Sequence, residues 1–458
     1  MLVEKMLLEN TRVAPLESTS MGNAPMTLLP TIDDAVKLLD EKELSTEDLL
    51  DQCLHEIESR DAEIQAWVQI DESNARNSAK LLQDELSRGQ RRSALHGIPI
   101  GVKDIFDVAG LQVEAGSPVR SGKIARNDAP VVQRLRELGA VIIGKTVTTE
   151  FACFDPPPTK NPWNLAHSPG GSSSGSAAAV ASGMCYAALG SQTGGSISRP
   201  ASYCGIVGWK PTFNRQQLQG VVPVTFHLDH VGPLTRSATD LIHFASAFGV
   251  GRDDQSSLDP QRKLRVGVIE DYFFSTASED VQTVTRKALE KLKGQHIRIE
   301  MAELPRAFQR LHEMHRKIMA VEAAQYHQSS YDEKRDQYSD SLSSLIEEGR
   351  ATPVIEYADA LHQQQVIGDQ MNTIAQQFDV LAVPSTPDVA PRDLSTTGDP
   401  RFNSPWSFCG MPTVTIPCGL SPAGMPCGLQ FIGSRKKQVE LLQAASRCEQ
   451  GLGRLQIS

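Results

Sequence analysis

"GSQTGGSISRP", residues 190–200, sets Gly194 and Gly195 directly before Ser196 in the middle of otherwise ordinary apolar sequence. A glycine-dense turn leaves its backbone N–H groups uncovered by side chains, which suits close approach of a ligand and stabilisation of a developing oxyanion. A flexible Gly/Ser linker has the same composition. The flanks separate the two readings. Upstream lies a second loop of the same kind, "HSPGGSSSGSAAA" (167–179), which feeds an alanine-rich helix at 176–183 and then the strand "YAALGSQ" (186–192). Two hydroxyl-rich loops around one helix–strand pair strain the linker reading.

The pattern outside this centre alternates. Ser45 and Asp48 are spaced as a capping box ahead of Leu49, Leu50, Cys53, Leu54 and Ile57, whose spacing is helical, and a second helix is expected from about 72 to 89. "GIPIGVKDI" (97–105) and "AVIIGKT" (140–146) read as buried strands around a helix at 129–138 that Gly139 stops. Further strands are expected at 264–270, 380–386, 413–419 and 428–433, with a long helical stretch from about 305 to 377. Strands interleaved with helices predict an α/β fold, a mixed central β-sheet covered by helices on both faces. Residues 1–28 are expected to be disordered or extended, and 29–458 to form a single domain with a helical N-terminal layer (29–90) and a helical region at 300–380.

Composition narrows the function classes. The 458-residue chain carries a formal charge of −10 and no basic block, which argues against a nucleic-acid partner. No stretch approaches the roughly 20 apolar residues of a membrane span, and the first residues, with Glu4 and Glu9, lack a continuous apolar core of the signal-peptide kind. A cytoplasmic protein without a membrane partner is expected. The cysteines at 53, 153, 185, 204, 409, 418, 427 and 448 show neither C-x-x-C spacing nor nearby histidines, so they read as reduced thiols and not as metal ligands.

Three chemistries compete for the Gly/Ser block. A phosphate loop has the glycine spacing of Gly170 and Gly175, but Ser176 stands where that motif needs lysine. A nucleophile elbow matches Gly171–Gly175, yet no apolar strand precedes it, and His362, the last histidine, comes before the Asp379 that would have to precede a triad histidine. A serine hydrolase that uses lysine as base is the third. Lys103, at the end of the apolar strand "IPIGVK", sits where burial would lower its pKa toward working pH, although a lysine at a strand end often only reaches out to water.

Taken together, "GIPIGVKDIFDVAG" (97–110), "SPGGSSSGSAAAVASG" (168–183), "GSQTGGSISRPASYCGIVGWKPT" (190–212), "LDHVGPLTRSATD" (228–240) and "SPWSFCGMPTVTIPCGLSPAGMPCGLQFIG" (404–433) resemble the amidase signature family over roughly residues 30 to 450. The resemblance implies a serine–serine–lysine triad: Ser196 as nucleophile, Ser172 as bridging serine after a cis peptide, and Lys103 as base. It implies an oxyanion hole from the N–H groups of Thr193, Gly194, Gly195 and Ser196, hydrolysis of an amide through an acyl-enzyme, and no metal or organic cofactor. Ser173 and Gln192 are candidate supporting residues, and Asp229 either supports the site or is a surface carboxylate. Two departures touch that support: many members have aspartate at the position of Gln192 and arginine at that of Ser198.

The expected partner is a small amide, carbamate- and urea-like bonds remain open, and a homodimer is compatible with the sequence. The alternative is the A subunit of a tRNA-dependent amidotransferase, a glutaminase, which typically carries an Arg-Tyr-Asp-Gly stretch absent from 323–342 here. Phe308, Leu311, Ile318, Met319 and Tyr326 recur at helical spacing, as plain core or as the lining of an apolar groove.

Overall fold

The computed structural model describes residues 30–250, 258–259, 261–294 and 296–455. The expected extended N-terminus, 1–28, lies outside the described residues. Among the described residues, eleven strands form one sheet: β1 Trp67–Ile70, β2 Pro99–Lys103, β3 Val141–Thr146, β4 Ala187–Gln192, β5 Val207–Lys210, β6 His230–Thr235, β7 Leu264–Val268, β8 Ile297–Met301, β9 Val380–Pro384, β10 Thr413–Leu420 and β11 Pro426–Ile432. Their order is β1-β3-β2-β4-β6-β5-β10-β11-β9-β7-β8. The run β3-β2-β4 is parallel, the centre from β4 to β9 is antiparallel, and β9-β7-β8 is parallel again, so the α/β fold has the expected mixed sheet.

Local chemistry accounts for the elements that carry the site. β2 and β4 are buried along their whole length, as continuous apolar runs in parallel sheets are. The helix Ser174–Ala181 packs on β2, β3 and β4 and is buried all round, so its serines, glycine and alanines replace the usual amphipathic face. Gly175 makes this packing possible: a Cβ there would stand 2.2 Å from the Ala66 carbonyl oxygen. The capping box at Ser45 forms as expected, with the Ser45 side chain accepting from the Asp48 N–H and Asp48 reaching back, and starts the helix Thr46–Ile64.

One expectation is corrected. The region 29–90 is not purely helical, because Trp67–Ile70 leaves it to pair with β3 at the sheet edge. The helical stretch expected at 305–377 is built mainly of the α-helices Leu311–His327, Asp340–Ala351 and Val354–Ala375. Pro353, with no N–H to donate, stands at the cap of the third and separates it from the second.

Candidate active site

β2 and β4 run parallel, pairing Val102 with Leu189, so the segments that leave their C-terminal ends come side by side. Lys103 is the last residue of β2 and fully buried. Its Nζ lies 2.7 Å from Ser172 Oγ and 2.8 Å from Ser191 Oγ, and no carboxylate pairs with it among the described residues. Burial lowers the ammonium to about 7, against the weaker opposing pull of Asp229 and Cys153. Ser172 is buried and follows a cis peptide bond from Gly171.

The glycine turn leaves β4 and carries Ser196. Gln192 closes it from within: its Oε1 accepts from the N–H groups of Ile197 and Ser198, both at 2.9 Å. A neutral amide thus caps the turn where many relatives of the resembled family have a carboxylate. Asp229 ties the same turn from β6's side, taking the Thr193 hydroxyl at 2.6 Å and the N–H groups of Val224 and Thr225. It is buried, not a surface carboxylate. Gly195 has no room for a side chain, since a Cβ would stand 2.7 Å from Asn403 Oδ1. The N–H groups of Thr193, Gly194, Gly195 and Ser196, which line the cleft, have no acceptor among the described residues, a condition suited to holding an oxygen that gains charge.

The neighbouring serines do different work. Ser173 exchanges hydrogen bonds with the Ser191 backbone, both at 3.2 Å, and Ser174 donates to the Gly170 carbonyl at 2.7 Å. Ser173, the nucleophile of an elbow, is therefore committed to the loop's shape.

Ser196 lies in the wall of a cleft of about 370 Å³, whose lining includes neither Lys103 nor Ser172. The turn 193–196 forms one side; His312, His315, Arg316 and Met319 of the helix Leu311–His327 and the segment 396–404 form the others. Clefts of about 490 and 480 Å³ elsewhere contain no part of this turn. Of the helically spaced apolar set, Phe308, Leu311 and Ile318 are core and only Met319 lines the cleft. The set is therefore mainly core, and the helix turns His312, His315 and Arg316 to the cleft beside Met319.

Sequence reasoning missed three contributors. Ser191, the second partner of Lys103, was visible only as a hydroxyl inside a strand. His315 donates from Nε2 to the Thr193 carbonyl at 3.0 Å, and Arg199 binds the Gly171 carbonyl at 2.7 Å; both contacts join segments distant in sequence or separated by a helix.

The family model for amidases matches residues 48–442. Curated relatives include the glutamyl-tRNA(Gln) amidotransferase A subunit of Halalkalibacterium halodurans, 32% identical over 439 residues that cover 84% of this chain and 90% of that one. An amidase of Pseudomonas putida is 33% identical over 416 residues, 85% and 89% of the two chains. Among solved structures, an amidase crystal structure superposes with a TM-score of 0.85 at 30% identity, covering 93% of this chain and all of that one. The peptide amidase from Stenotrophomonas maltophilia superposes at 0.79 and 26% identity, over 93% and 98%. With the family model matching most of its length and relatives above 30% identity covered almost end to end, the chain belongs to the amidase signature family.

Proposed function

We propose that this chain hydrolyses carboxylic-acid amides through an acyl-enzyme on Ser196, with Ser172 as proton relay and Lys103 as base. The observation that carries the reading is a buried lysine bonded only to serine hydroxyls and lowered to about 7, so that it is available neutral near neutral pH. Ser196 Oγ adds to the amide carbonyl while its proton passes through Ser172 to Lys103. The N–H groups of the 193–196 turn take the oxyanion. Collapse breaks the C–N bond, and the same relay returns the proton to the departing amine. Water then attacks the ester by the reverse proton path and frees Ser196.

The experiment is covalent labelling. A fluorophosphonate should add one equivalent, mapped by peptide mass analysis to Ser196, and Lys103→Ala should slow it steeply. Modification at Ser173 instead would return the elbow reading.

The likeness to the A subunits of amidotransferases favours a second reading, a glutaminase that works within a complex. Turnover of a simple amide by the purified chain alone supports the hydrolase; activity that requires added partner proteins supports the other.

A further inference from the structure

One end of the sheet is left open to a further strand. β8, with the sequence IRIEM, bonds to β7 alone among the described residues. The His296 carbonyl accepts from the Leu264 N–H, and the Ala302 N–H donates to the Val268 carbonyl, both at 2.9 Å. Successive residues of a strand turn their N–H and C=O groups to opposite sides, so Arg298 and Glu300 face β7 as well. The N–H and C=O groups of Ile297, Ile299 and Met301 point outward, and none has a partner among the described residues. At the opposite end of the sheet, β1 is bulged between Trp67 and Gln69, which breaks the regular ladder an incoming strand needs. The pairing of β8 with β7 is unbroken over all five residues.

The side chains of β8 are sorted by face. Ile297, Ile299 and Met301 share one, where Ile297 is buried and Met301 is 63% exposed. Arg298 and Glu300 share the other. Glu300 binds Arg265 of β7 at 2.9 Å, and Arg298, 67% exposed, reaches the same carboxylate from the side at 3.3 Å. An exposed methionine and a loosely held cation therefore flank a row of unused backbone groups.

We propose that β8 pairs antiparallel with β8 of a second copy of this chain, joining the two sheets across a two-fold axis at Ile299. The outward groups set the register. Ile299 exchanges both backbone bonds with Ile299 of the second copy, and Ile297 does so with Met301, which covers the exposed methionine. Arg298 then stands opposite Glu300 in the close, non-hydrogen-bonded position, twice over by symmetry. Moving the axis to Ile297 or Met301 sets Arg298 against His296 or Leu304 and loses both ion pairs. The strand is thus complementary to itself in one register, as an interface between identical copies requires. Five residues a side make a small contact, so the dimer is weak and forms at high concentration. The inference is independent of the reaction proposed for the cleft.

The test is sedimentation velocity on the full chain over a concentration series from about 1 µM to about 300 µM. Half-conversion to a dimer is expected between about 10 and 100 µM, with no larger species, because a two-fold contact closes. Ile299→Pro removes an outward N–H that β7 does not use, and should give a monomer that circular dichroism shows folded. Arg298→Glu sets a carboxylate against Glu300 and should raise the dissociation constant about tenfold or more. Glu300→Arg should do the same by setting two guanidinium groups opposite each other. The deciding sample mixes Arg298→Glu with Glu300→Arg in equal amounts: every pair across the axis is then opposite in charge, and dimer should return although neither variant pairs with itself. A wild-type chain that stays monomeric at about 300 µM overturns the proposal. So does a dimer that survives Ile299→Pro, one indifferent to Arg298→Glu, or a mixture that stays monomeric. Should Ile299→Pro or Glu300→Arg not fold, Arg298→Glu, a change at an exposed side chain, decides alone.

Discussion

At the residue scale the proposed chemistry turns on one proton. Lys103 must be neutral to accept it, and its deprotonated fraction grows as pH rises through about 7. On a substrate stable across the range, kcat/KM should therefore climb from pH 6 to pH 8 and level above, with an acid limb near 7, well below the ordinary lysine range. A rate that falls steadily over that interval would exclude Lys103 as the base. Ser196→Ala and Lys103→Ala should each lower kcat by about a thousandfold or more, because a relay that lacks one member cannot activate the rest, and circular dichroism should show both folded. Ser172→Ala should cost less. These three residues were singled out in the sequence through the resemblance, and two of them, Lys103 and Ser172, lie within hydrogen-bond reach. Arg199 was visible as a letter but not as a buried cation that ties the Gly171 carbonyl, since that depends on which segments fold against it.

At the scale of elements, the helix Leu311–His327 is joined to the glycine turn through His315 and the Thr193 carbonyl, 122 positions apart. Burial holds His315 neutral down to about pH 4, so the Nε2–H is present at any working pH. His315→Ala should lower kcat about tenfold with KM little changed, through a turn that holds the oxyanion less well, and His315→Gln should recover part of it by offering an N–H at similar reach. Equal loss in both variants, or a change confined to KM, would show that the helix does not steady the turn. The helix itself was legible and its meaning was not. Periodicity marked Phe308, Leu311 and Ile318 as one face but could not say that this face meets the core while His312 and His315 meet the cleft. Short strands such as β5 and β6 escaped notice because Gly208, Gly232 and Pro233 interrupt any alternation. Only pairing along the sheet defines them.

At the scale of the whole molecule, stability has its own pH dependence, set away from the cleft. Glu449 is 5% exposed, and burial raises its carboxyl to about 7, with Asp240 beside it raised to about 6. The folded protein thus holds protons that the unfolded chain releases above its ordinary carboxyl range, so stability should fall as pH rises from about 5 to 7. Glu449→Gln, which keeps an acceptor for the Ala238 N–H, should flatten the decline in Tm over that interval. A wild-type Tm that rises from pH 5 to pH 7.5 would contradict this. The mixed sheet was foreseen from the alternation of strands and helices, but not its order, because β10 and β11 reach the centre from the far end of the chain.

The cleft is assembled from two sources. The residues proposed for bond cleavage lie within one continuous stretch, 103 to 196, whereas most of the opposing wall comes from 312–319 and 396–404. Inheritance can therefore act on the two separately. A lineage that varies only the later segments changes what is cut while the machinery that cuts is passed on intact, and a library confined to those segments would explore new substrates without having to rediscover the reaction.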